Sequence, residues 1–135
     1  METATTDRRV LLVEDDRVLR RACEASLRRR GLIVLCAQDG EEGLRLARAE
    51  APDLVLLDLL MPKLNGLEVL RALRADERTR DLPVLILSNS SSATGVEEVT
   101  SLGIAGYWVK ANLSLQELGD RVIDLLGATS HGQVD

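Results

Sequence analysis

Five residues of the chain stand where an apolar run gives out. Glu14 and Asp15 follow Val10 to Val13, Asp58 follows Leu54 to Leu57, Ser88 follows Val84 to Leu87, and Lys110 follows Tyr107 to Val109. No His or Cys lies close to the acids in sequence, so they offer hard oxygen ligands, which suit Mg2+ and not zinc. Carboxylates crowded into one place raise one another's proton affinity unless a cation intervenes. Mg2+ keeps several waters and completes its shell with phosphate oxygens, so such a site invites a phosphoryl group. Lys110 brings a compact positive charge for one phosphoryl oxygen, and Ser88 a hydroxyl that can donate to another. Asp58 is then the candidate nucleophile, taking the phosphoryl group onto its carboxylate as an acyl phosphate. Taken singly, each residue has a plainer reading. Asp58 is a solvated strand-end acid, the run Glu14 to Asp16 a helix start, Lys110 a salt bridge to one of the acids and Ser88 a loop cap. The chemistry requires that the chain bring them together.

The elements that must do so are legible in the pattern. Leu54 to Leu57 is apolar on both faces, as in a strand covered on both sides, and Pro62 with Asn65-Gly66 breaks the chain beyond it. Asp16 is a candidate N-cap and Gly31 a stop for the first helix. A second run, Leu32 to Ala37, ends without an acid, as an edge strand remote from the site does. Capping spacing recurs at Asp39/Glu42, Asn65/Glu68, Thr94/Glu97 and Ser114/Glu117. Leu67, Leu70 and Leu73 mark one buried helical face, and Leu115, Leu118, Val122 and Leu125 another. The helix around Val96 and Val99 has a thin apolar face and is expected to be the least firmly anchored. Five strands alternating with five helices predict an α/β fold with a doubly wound parallel sheet. A parallel sheet places all its carboxyl ends on one side, where such folds bind ligands.

The chain of 135 residues has the length of one domain, expected over 8–127 with disordered tails at 1–7 and 128–135. The formal net charge of −5 and the presence of only Tyr107 and Trp108 as aromatic residues argue against nucleic-acid binding. Arg28 to Arg30 fall at a helix end, where cations complement the dipole. Cys23 and Cys36 lack metal spacing and read as buried thiols of a cytosolic protein. There is no bilayer-length apolar stretch and no hydrophobic signal core in Met1 to Arg9, so the expectation is a cytoplasmic protein without membrane contact. His131 falls in the expected tail and has no assigned role.

The segments VLLVEDD, DLLMPKLNG, PVLILSNS and GYWVKA, in this order and spacing, resemble the receiver domain of bacterial two-component response regulators over almost the whole chain. The resemblance implies a flavodoxin-like sheet of order 2-1-3-4-5 and Asp58 as phosphoacceptor. It implies that Asp15 and Asp58 ligate Mg2+ directly, Glu14 through water, and Leu60 through its main-chain carbonyl. Ser88 matches the switch hydroxyl, Tyr107 the aromatic that changes rotamer with it, and Lys110 the family's lysine. The implied donor is a phosphohistidine on a histidine kinase or histidine phosphotransfer protein. The expected output is a shift in the surface of the fourth helix, fifth strand and fifth helix toward a downstream protein effector. No helix-turn-helix is visible, so the expectation is a stand-alone monomer or weak dimer without direct DNA binding. It is not expected to be an enzyme beyond slow self-dephosphorylation. One departure is Ala111, where receivers commonly carry a cis proline. A cis bond to alanine costs about 3–4 kcal/mol, so a trans bond or a reshaped loop is expected. Two alternatives stand beside this reading. One is a non-phosphorylated pseudo-receiver acting as an interaction module. The other is a Mg2+-dependent aspartyl-phosphate phosphatase, although Leu60 occupies the second acid position of its D-x-D pairing.

Overall fold

The short aliphatic runs and the capped helical segments alternate strictly along the chain. The computed structural model describes residues 8–59, 61, 65–88, 96–110 and 114–134. The order is β1 (Arg9–Val13), α1 (Arg17–Arg29), β2 (Ile33–Ala37), α2 (Gly40–Glu50), β3 (Leu54–Asp58), α3 (Gly66–Ala75), β4 (Val84–Ser88), α4 (Val96–Leu102), β5 (Gly106–Val109) and α5 (Leu115–Val134). The strands form one sheet in the order β2-β1-β3-β4-β5, with every pairing parallel. This is the expected doubly wound flavodoxin-like topology, with β2, the strand that delivers none of the five candidate residues, at an edge.

Strand alternation divides the core into two layers. Val10, Leu12, Leu54, Leu56, Leu85 and Leu87 face α1 and α5, where they meet Cys23, Leu27, Leu118, Val122 and Leu126. Leu11, Val13, Val55, Leu57, Val84 and Ile86 face α2, α3 and α4, and meet Ala47, Val69, Leu70, Leu73 and Val99. Each fully buried Leu or Val here stabilises the fold by roughly 1.5–3 kcal/mol relative to exposure. Register then sets the functional edge. Val13 lies opposite Leu57, Asp58 opposite Leu87, and Ser88 opposite Val109. One residue beyond Val13, Glu14 therefore comes level with Asp58.

The helix starts follow the sequence signals. Asp16 accepts from the N–H groups of Val18 and Leu19, and Asn65 and Glu68 form a reciprocal capping box. Ser114 accepts from the Glu117 N–H at 3.3 Å. At α2 the box is only half made: Asp39 accepts from the Glu42 N–H, while the Glu42 carboxylate turns instead to the Gln38 N–H at 2.8 Å. Gly31, at φ 88°, follows the end of α1 in the left-handed region, where a Cβ is unfavourable. The Thr94 cap and the tail 1–7 lie outside the described residues.

Two expectations need correction. Residues 128–134, expected as a disordered tail, continue α5 as far as Val134. Gly127 lowers helix propensity by about 1 kcal/mol relative to Ala, but that is too little to end a helix already docked through Leu118, Val122 and Leu126. Cys36 is half-buried, whereas Cys23 is wholly buried, and both are free thiols. Among the described residues, no helix is long and apolar enough to cross a membrane.

Candidate functional site

Glu14 continues the face of Val10 and Leu12, and Asp58 continues that of Leu54 and Leu56, so alternation sends both acids to the α1/α5 side. Both are almost fully buried, Glu14 at 0% and Asp58 at 2% exposure. Lys110, in the turn after β5, reaches across to them: its Nζ lies 2.9 Å from Glu14 Oε1 and 3.2 Å from Asp58 Oδ2. Lys110 therefore pairs with two acids, where the plain reading allowed one. Asp15 is exposed at the mouth. Glu14, Asp15 and Asp58 each offer a carboxylate oxygen within 4.8 Å of the others, making a three-acid cluster that could hold a metal.

The charge does not balance. One ammonium faces two buried carboxylates and an exposed third, and a buried charge without compensation is costly. Burial disfavours the Lys110 charge, but its ion pairs with Glu14 and Asp58 outweigh it and hold the ammonium above the ordinary lysine range. Its contribution to stability is thus present below the ordinary lysine value and lost as pH rises through the raised one. Glu14 Oε1, although 2.9 Å from Nζ, makes an ion pair without the direction of a hydrogen bond. A buried oxygen short of a donor, an all-oxygen ligand set and excess negative charge together fit a hard divalent cation.

The loops around the acids are fixed by main-chain contacts. The Gly66 N–H donates to Leu59 O at 2.9 Å, closing α3 onto the end of β3. A Cβ on Gly66 would lie 2.4 Å from the Asp58 carbonyl oxygen and 2.6 Å from Leu59 Cα. The Asn65-Gly66 pair is thus more than the turn signal it reads as, because the missing side chain lets α3 sit against the backbone of the candidate nucleophile. On the other acidic loop, Arg20 donates to the Glu14 carbonyl at 2.9 Å. Neither role is evident from the sequence, whose only signals were a glycine directly after an N-cap and an arginine at the start of a helix.

Ser88 is buried at 1% exposure on the end of β4, following the face of Val84 and Ile86. Tyr107 packs into the layer of α2, α3 and α4, and Trp108 into that of α1 and α5. Among the described side chains of α4, Val99 is buried, in line with the expected thin apolar face. Polar contacts from α3 supplement it: Arg74 donates to Leu102 O at 3.1 Å and Gly103 O at 2.8 Å, and Arg71 pairs with Glu98. Leu60, residues 62–64, the loop 89–95 and Ala111 lie outside the described residues.

A family model described as the response regulator receiver domain matches residues 10–123. The response regulator MprA of Mycolicibacterium vanbaalenii is 41% identical over 123 residues, covering 90% of this chain and 52% of that protein. The transcriptional regulatory protein AfsQ1 of Streptomyces coelicolor is 41% identical over 101 residues, covering 75% of this chain and 44% of that protein. The chain thus spans about half the length of the curated relatives it matches. Among solved structures, the receiver domain of Francisella response regulator 1452 superposes with a TM-score of 0.82 at 30% identity, covering 91% of this chain and 99% of that one. The chemotaxis protein CheY4 of Vibrio cholerae gives 0.81 at 27%, covering 88% and 98%.

Proposed function

Because the chain belongs to the receiver domains of two-component response regulators, we propose that Asp58 is the phosphoacceptor of a phosphorelay. The donor is a phosphohistidine of a histidine kinase or phosphotransfer protein. A carboxylate oxygen of Asp58 forms a bond to phosphorus as the P–N bond of the donor breaks, and that bond's electron pair returns to the imidazole nitrogen. The observation that carries this reading is the convergence of Asp58, Glu14 and Asp15 with Lys110 on one sheet edge. Asp15 and Asp58 would hold Mg2+, with Glu14 acting through water, and the ion supplies Lewis-acid neutralisation of phosphoryl charge.

The rest of the work falls to the chain itself. Lys110 is close enough to Asp58 to exchange its carboxylate partner for a phosphoryl oxygen without crossing solvent. Ser88, one register step beyond the partner of Asp58, donates its hydroxyl to another phosphoryl oxygen. Its inward movement, followed by Tyr107, shifts α4, β5 and α5 toward the form that binds a protein partner. The chain is a signalling module and not an enzyme, apart from slow loss of its own phosphoryl group.

Incubation with Mg2+ and acetyl phosphate, followed by intact mass measurement, tests the reading. One phosphate adduct is expected for the wild-type chain and none for Asp58→Asn. An adduct that survives the substitution defeats the assignment of Asp58, and steady hydrolysis of an external phosphoester would favour a phosphatase.

A further inference from the structure

Arg20 has no part in the phosphoryl chemistry above, yet it is tied to the main chain of the acidic loop. Its Nη1 donates to the Glu14 carbonyl oxygen at 2.9 Å and reaches the Asp15 carbonyl oxygen at 3.4 Å. The surrounding polar groups of that loop are also committed. The Glu14 N–H donates to Ala37 O at 3.1 Å, the Asp16 N–H to Glu14 Oε2 at 3.0 Å, and Asp16 Oδ1 caps α1. Every one of these contacts limits where the Asp15 carboxylate can point.

The start of α1 also departs from the rest of the molecule. The other helices carry acids in the first turn: Glu41 and Glu42, Glu68, Glu97 and Glu98, and Glu117. The first turn of α1 has none; the helix opens on Arg17, and Arg20 follows three residues on. A cation at the positive end of a helix opposes the dipole, and such local departures gather at functional sites. The two carbonyls held by Arg20 give this one a purpose.

Resting on the cation reading above, we infer that Arg20 is a positioning residue of the cation site. Its guanidinium holds the peptide units of Glu14 and Asp15 so that the Asp15 carboxylate is presented toward Asp58. The sign of the effect separates this role from a simple charge. If Arg20 were only a neighbouring cation, Arg20→Gln would tighten Mg2+ binding by removing a repulsion. If it positions Asp15, the same substitution weakens binding, on the order of tenfold by analogy with lost supports of metal ligands.

The measurement is isothermal titration with Mg2+ alone, well below the Tm of each variant. Arg20→Lys keeps the charge but loses the planar guanidinium that aims Nη1 at both carbonyls. It is expected to bind more weakly than wild type and more tightly than Arg20→Gln, and it carries the test alone if the latter does not fold. Arg21→Gln, which removes an exposed charge from the same helix, is expected to leave affinity unchanged or slightly tighter. Hydrogen exchange at the Asp16 amide is expected to quicken in Arg20→Gln. Unchanged or tighter Mg2+ binding in the Arg20 variants overturns the inference and leaves the cation reading standing. Failure of the wild-type chain to bind Mg2+ overturns both.

Discussion

β3 and β5 belong to the same sheet but differ in almost every physical respect. β3 is central, paired on both sides, and all five of its residues from Leu54 to Asp58 are buried. β5 is an edge strand of four residues, Gly106 to Val109, each only half-buried. Asp58 ends the first and Lys110 follows the second, so the 3.2 Å ion pair between them joins a stiff strand to a compliant one. Chemistry that needs fixed distances sits on the buried strand, where motion requires disrupting the core. Elements that must shift are drawn from the weakly buried side, where local opening is easier. The neighbour of β5 in sequence, α4, fits this division, with seven residues and polar ties to α3.

Substitutions on the two strands should expose the contrast. Leu56→Ala, at a wholly buried position on β3, is expected to cost about 2–5 kcal/mol in urea unfolding. Val109→Ala on β5 should cost under about 1 kcal/mol, and equal costs would erase the distinction. Gly66→Ala comes next. The clash with the Asp58 carbonyl requires a backbone shift costing about 1–3 kcal/mol, and it should slow phosphorylation of Asp58 even at temperatures where the fold is intact. Normal phosphorylation in that variant would show that the backbone of Asp58 tolerates movement.

An effect confined to alkaline pH lies beneath the acids. Burial, with the Glu14 charge adding to it, pushes the Cys23 thiol up to about 11 from 9.0. A raised folded value gives stability that is present below the ordinary thiol range and lost as pH rises toward the folded one. The urea midpoint of the wild-type chain should therefore fall between pH 9 and about 11, and fall less in Cys23→Ala. Parallel curves for the two would remove Cys23 from the buried charge balance of the site.

Much of this arrangement was legible in the chain because short-range rules control it. Strand runs apolar on both faces, N-caps at Asp16, Asn65 and Ser114, and acids at strand ends are local signals, and together they predicted five parallel strands with Glu14, Asp15, Asp58, Ser88 and Lys110 on one edge. The expected end of the fold at Gly127 was overturned because a single weak helix former is outweighed by tertiary docking of the preceding turns. Other features depend on contacts between segments remote in sequence. The amino-acid order alone determined which residues reach the sheet edge, since alternation follows from pattern, whereas the strand order was implied by the resemblance to receiver domains. Only the packed structure decided that Lys110 bridges two acids, that Gly66 admits α3 against the Asp58 backbone, and that Arg20 holds the carbonyls of Glu14 and Asp15. These are distances between groups, and no residue's type or spacing specifies a distance until the layers around it have closed.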